Sequence, residues 1–286
     1  MPINRDGAIT RGTRENLIRG LRAKPMSPAA VDAALHQAVE FSEQLVATYS
    51  NAIAQGEVGP GGSGTASDAP IIGSRPPSVL LYGRVQSGKT AAMILTSALC
   101  LDNNFRVIIV LTADNVALVQ QTANRFKALD GPRVFSSAKD DTYEWDGQED
   151  DVREDIANDG LVLVCAKDAF HLPRILQFLQ QIDAPSYPAL VFDDEADAAT
   201  PDTTLAARTS ARAGAPQFPS TINRRVIENQ RPGEEGESIR EVFPHALYVQ
   251  VTATPYILFL QRSSSAIRPS ITFPLVSVRE HLESVE

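Results

Sequence analysis

One stretch constrains this chain more than any other: Pro77-Ser-Val-Leu-Leu-Tyr-Gly-Arg-Val-Gln-Ser-Gly-Lys-Thr90. The apolar run Val79 to Tyr82 reads as a buried strand, Gly83 and Gly88 bracket a turn, and a helical run follows Lys89 and Thr90. The spacing G-x-x-x-x-G-K-[ST], met here between a strand and a helix, is that of a phosphate-binding loop. Glycines let successive backbone N–H groups curl around a polyphosphate, and the helix start turns its positive dipole end toward that charge. The loop Gly83, Arg84, Val85, Gln86, Ser87, Gly88, Lys89 and Thr90 is therefore expected to hold nucleotide phosphates. Lys89 would reach the β- and γ-phosphates and the Thr90 hydroxyl would hold Mg2+. At average composition these four positions coincide by chance in on the order of one chain per hundred of this length. The flanking strand and helix make chance rarer still.

The 286 residues suffice for one large domain or two small ones with a substantial core. Cys100 and Cys165 stand apart in apolar runs without ligand-spaced neighbours, which predicts buried free thiols rather than a zinc site or a disulfide framework. No stretch approaches the length of a membrane span and the start lacks a signal peptide's apolar core, so no membrane contact and a cytoplasmic location are expected. A formal net charge of −9 argues against coating nucleic acid by bulk electrostatics. The basic cluster Arg5, Arg11, Arg14, Arg19, Arg22 and Lys24 reads first as a solvated helix face.

Taken in order, residues 1–54 form a helical arm, with a short helix near Glu15 to Leu21 and a long amphipathic one from Ser27 as N-cap and Pro28 onward. Val31, Leu35, Ala38, Leu45, Tyr49 and Ile53 give that second helix one apolar face, which must dock on the following domain or a partner. Residues 55–77 are rich in Gly, Pro and Ser and read as a flexible linker. Past the loop, Arg106 to Leu111, Leu161 to Cys165, Ala189 to Phe192 and Ala246 to Val251 are short buried strands that alternate with helices. That alternation predicts an α/β fold with a parallel sheet flanked by helices over 78–262. Lys139 to Asp159, strongly acidic around Trp145, is expected as an exposed loop or edge hairpin, and 263–286 as a tail or a linker to a second domain.

The strand Ala189-Leu-Val-Phe192 runs into Asp193-Asp194-Glu195-Ala196-Asp197. Carboxylates at a strand's C-terminal edge lie where ligands bind in open α/β sheets. Asp194 is expected to hold Mg2+ beside the loop strand, with Glu195 orienting and deprotonating an attacking water and Asp193 behind them. A third strand ends in Thr252-Ala253-Thr254-Pro255, whose hydroxyls would contact the neighbouring carboxylates and sense the γ-phosphate.

In order, these three segments resemble motifs I, II and III of superfamily 2 helicases. More narrowly, Gly-Arg-Val-Gln-Ser-Gly-Lys-Thr, Val-Ile-Ile-Val-Leu-Thr, Asp-Asp-Glu-Ala-Asp and Tyr-Val-Gln-Val-Thr-Ala-Thr-Pro look like the Z-one domain, over roughly 78–262. That helicase-like family carries an endonuclease label and lies near bacterial restriction and phage-defence genes. The resemblance implies a RecA-like P-loop NTPase fold and ATP hydrolysis linked to DNA, with Thr252 and Thr254 coupling nucleotide state to DNA. It also implies backbone contacts to nucleic acid from Thr112, Asn115 and Lys167. The chain departs from the pattern in three ways. No glutamine-containing adenine-reading motif is recognisable before the loop, a Pro-, Ala- and Arg-rich insert (Pro201 to Pro232) separates the second and third motifs, and the sequence stops soon after the third motif, which reads either as a truncated chain or as one whose missing half a partner supplies. A partner subunit or second RecA-like domain is thus expected to supply arginine fingers. The residues outside this site give the nuclease label no carboxylate–lysine constellation. Two further readings stay open: a nucleotide-binding regulatory subunit with little turnover, and a ring-forming remodelling ATPase using Arg224 or Arg225 of a neighbour.

Overall fold

The computed structural model describes residues 3–20, 25–54, 78–84, 87–137, 143–198, 200–201, 220–227, 238–261 and 267–276. The linker at 55–77, Val85 and Gln86, and most of the insert lie outside the described residues. Seven strands form one all-parallel sheet in the order β3-β4-β2-β5-β6-β1-β7. They are β1 (Ser78–Tyr82), β2 (Val107–Thr112), β3 (Arg133–Ser136), β4 (Leu161–Ala166), β5 (Ala189–Asp194), β6 (Leu247–Thr252) and β7 (Ile271–Pro274). The helices are α1 (Ala8–Arg19), α2 (Pro28–Ala54), α3 (Lys89–Asp102), α4 (Val116–Phe126), α5 (Glu149–Asn158) and α6 (His171–Gln181). Three short ones follow: α7 (Thr221–Val226), α8 (Ile239–Val242) and α9 (Tyr256–Phe259).

The central strands are buried along their whole length, as their β-branched runs require. Side chains alternate between two faces. Ile108, Val110, Val162, Val164 and Phe192 face a core shared with α1 to α4, while Val107, Ile109, Leu161, Leu163 and Val191 face one shared with α5 to α8. The chain winds from β1 out to β3 and then back through β4 and β5. The helices change face at that reversal, as a single hand of crossover demands.

The helical arm belongs to the first of these cores. Phe41 and Leu45 of α2 are buried with Met93 and Leu95 of α3. The start of α1 has no side-chain cap of its own. Instead Asp102, at the far end of α3, accepts from the backbone N–H groups of Ile9 (3.2 Å) and Thr10 (2.8 Å). That carboxylate supplies the missing cap and fits the positive end of the helix. Arg5, Arg11, Arg14 and Arg19 pair with Glu43, Asp6, Asp32 and Glu15, so these four form the solvated, ion-paired face expected of them.

Two expectations need correction. The acidic segment forms helix α5 from Glu149, and Trp145 is buried rather than exposed, stacked between Tyr143 and Phe178. The acids Glu149, Asp150 and Asp151 fill the first turn, where the helix dipole favours them. The segment past residue 262 is also not simply a tail: β7 pairs with β1, and Phe273 and Leu275 enter the core. The sheet domain therefore extends past residue 262, through β7. Among the described residues, no helix is long and apolar enough to cross a membrane.

Candidate functional site

Because every strand is parallel, all carboxyl ends meet at one edge of the sheet: Tyr82, Thr112, Ser136, Ala166, Asp194, Thr252 and Pro274. The loop after β1 opens there. Gly88, the residue before α3, holds φ 90°, a conformation that L side chains resist. Gly83 is required for a different reason: a Cβ there would lie 2.5 Å from Ser87 Oγ and 3.0 Å from Leu275 Cβ. The Gly83 N–H donates to the Thr252 carbonyl at 3.3 Å, tying the loop to β6. Lys89 Nζ donates to the carbonyls of Gly83 (2.9 Å) and Arg84 (3.0 Å), folded back on the loop. Burial pushes the Lys89 ammonium below its usual range, while Asp194, Asp197 and Glu195 pull it back up. Thr90 is half-buried in the first turn of α3, and its hydroxyl accepts from Arg125 Nη1 at 3.5 Å.

The carboxylates after β5 divide by direction. Asp193 points into the protein with no exposed surface, and accepts from Lys167 Nζ (2.8 Å), Thr200 Oγ1 (2.7 Å) and Tyr248 OH (2.5 Å). Lys167 reaches it across the end of β2 and also donates to the carbonyls of Asp194 (2.6 Å) and Glu195 (3.1 Å). Those bonds pin a turn in which Glu195 is exposed and left-handed, with φ 52°. A non-glycine residue rarely adopts that conformation unless its surroundings impose it.

Burial raises the Asp194 carboxyl to about 6, with Glu195 and Asp193 adding repulsion, against the opposing pull of Lys167 and the Glu195 N–H. In the unfolded chain it ionises near its ordinary 3.8, so folding weakens as pH rises through the interval between these values. The ionised form costs on the order of 1–3 kcal/mol. In metal-free buffer Asp194→Asn should therefore melt several degrees above the parent at about pH 8 and gain nothing at about pH 4. Equal melting temperatures at the higher pH would contradict a strained carboxylate.

The expected contact between the second and third motifs is present. Thr252 and Thr254 hydroxyls both donate to the Asp197 carboxylate, one to each oxygen. The strand order differs from the expectation in one respect. The carboxylate strand β5 does not adjoin β1; β6 lies between them, paired to both. Thr252 thus stands midway, its carbonyl on the loop and its hydroxyl on Asp197.

The expected nucleic-acid residues fare differently. Lys167 is 2% exposed and fully engaged by Asp193 and two carbonyls, so it has no free surface for a phosphate backbone. Thr112 is 3% exposed. Both assignments are corrected on burial. Asn115 is exposed and caps α4, its side chain accepting from the Leu118 N–H at 3.2 Å. Sequence reasoning missed Arg125 beside Thr90, the Thr200 and Tyr248 donors to Asp193, and Gln37. The Gln37 amide pairs with both backbone groups of Val276, at 3.1 and 2.9 Å. An acid placed inside an apolar strand was the available signal for the buried pair, since such a group needs a cation.

Beside the loop is a cavity of about 510 Å³ lined by Tyr82, Gly83, Arg84, Tyr256, Phe259 and Val276, among others. Among the described residues, no group of three or more His, Cys, Asp or Glu side chains is arranged to hold a metal ion. Cys100 and Cys165 are buried free thiols, and burial pushes the Cys100 thiol up to about 12. Compared with protein-family models and with curated proteins, the chain matches none.

Proposed function

We propose that this chain is a RecA-like P-loop domain that binds Mg2+-ATP, hydrolyses it, and links hydrolysis to DNA. The observation that carries the reading is the convergence, at one sheet edge, of Lys89 with Asp194, Glu195 and Asp197, the last held by Thr252 and Thr254. An all-parallel sheet with the loop on β1 and the carboxylates on β5 is compatible with that fold.

The residues fit the nucleotide and the ion. Ser87 Oγ is buried without a hydrogen-bond partner among the described residues, an orphan of the kind a bound ligand or its water relieves. Asp194 carries a carboxylate made costly by burial, which a cation would relieve. Mg2+ is ordinarily held by one or two carboxylates together with phosphate oxygens. Thr90 and Asp194 would hold the ion, which when bound neutralises charge on the phosphates. Lys89 would leave the Gly83 and Arg84 carbonyls for the γ-phosphate, and Glu195, presented by its left-handed turn, would orient and deprotonate water. The order of the three motifs supports the link to DNA.

Steady-state ATP hydrolysis, with and without single- and double-stranded DNA, beside Glu195→Gln, tests the reading. Turnover that DNA stimulates and that the variant loses by at least about a hundredfold is the expected result. ATP binding without turnover would transfer the reading to a nucleotide-binding regulatory subunit whose arginine comes from a partner. Absence of ATP binding would refute both.

A further inference from the structure

We infer that the cavity beside the loop is a base-binding subsite, in which the base of a nucleoside triphosphate stacks on Tyr256 and Phe259; this rests on the nucleotide reading above. Its volume, about 510 Å³, lies within the range of small-molecule sites. Gly83 and Arg84 line it, so the cavity borders the loop on which a triphosphate would sit.

The part of the lining that α9 supplies has features that folding alone does not explain. Helix α9 buries only Leu258, while Tyr256 is 77% and Phe259 43% exposed. Large aromatic side chains left in water around a concavity mark a binding surface. The remaining wall, at Val276, lies past the end of β7, where strand pairing to β1 has stopped. There Gln37, itself 6% exposed, replaces the sheet by bonding both the N–H and the carbonyl of Val276. Those two bonds order that wall without a ligand, which lowers the ordering cost of binding. Aromatic stacking suits any base, since each presents a π face.

The test compares binding of Mg2+-ATP and of inorganic tripolyphosphate, by calorimetry, to the parent, Tyr256→Ala, Phe259→Ala and Lys89→Ala. Both aromatic side chains are exposed enough for truncation to leave folding intact, which thermal melts check. The aromatic variants should bind ATP about ten- to a hundredfold more weakly and bind tripolyphosphate within about twofold of the parent. Lys89→Ala should weaken both ligands. Aromatic variants that bind ATP as the parent does, or that lose both ligands equally, overturn the subsite while the nucleotide reading survives on the Lys89 result. A parent that binds neither ligand overturns the nucleotide reading and the subsite with it.

Discussion

Lys89→Ala should abolish measurable ATP turnover while leaving the melting temperature nearly unchanged. The side chain donates to two loop carbonyls, at 2.9 and 3.0 Å, in a position only half-buried. Water can take over both bonds after truncation, so the fold loses little. The functional loss is of another order. Lys89 sits where three carboxylates, Asp194, Asp197 and Glu195, already act on its charge. A triphosphate brought to that edge adds more negative charge, and the ammonium is the cation placed to offset it. Removing one preorganised electrostatic donor of this kind costs about a hundred- to a thousandfold in rate. Charge alone is separable from geometry: Lys89→Arg keeps the charge on a wider, planar group and should recover only a small part of the activity. Steady-state hydrolysis and thermal melts on the same preparations check both statements. Full turnover in Lys89→Ala would sink the assignment of the loop, and a collapse in melting temperature would make the residue structural.

The parts of this architecture that a reader of the sequence can find are those written in local patterns. The loop is legible because its glycines, lysine and threonine fall within a few residues, and Gly88 and Gly83 prove to be needed for backbone conformation and close approach. Strands β2, β4, β5 and β6 are legible because each is a short apolar run bounded by polar residues. Strands β3 and β7 are not. Arg133-Val-Phe-Ser136 carries only one large apolar residue in full burial, and Ile271-Thr-Phe-Pro274 ends in proline, tolerated there because β7 is an edge strand. Helix α5 hides for the opposite reason. Its acidic sequence buries only Val152 and Ile156, and Trp145 is covered by Phe178 from α6, a contact that no local pattern encodes. Strand order is likewise non-local, so Lys167, one residue past β4, gives no sign that it will meet a carboxylate two strands away.

That pair carries the largest expected effect on stability. Lys167 and Asp193 side chains are 1% and 0% exposed, so Lys167→Ala leaves a carboxylate buried with two hydroxyl donors and no cation. Breaking such a pair on one side costs about 3–5 kcal/mol. For a chain of this size that lowers the melting temperature by on the order of 10 °C. Replacing both charges should behave differently, because an ion pair buried at this depth returns little net stability over an uncharged pair. Lys167→Met combined with Asp193→Asn keeps an acceptor for the Tyr248 hydroxyl and should recover much of the lost stability. Turnover should not recover with it. The other two bonds of Lys167, at 2.6 and 3.1 Å, hold the Asp194 and Glu195 carbonyls, and methionine cannot donate. Without them the left-handed Glu195, at φ 52°, is free to relax, and the general base proposed here would lose its aim. A double variant that is stable yet slow, with ATP affinity within about threefold of the parent, identifies Lys167 as a positioning residue for Glu195. A double variant that regains turnover along with stability would show that the pair serves the fold alone.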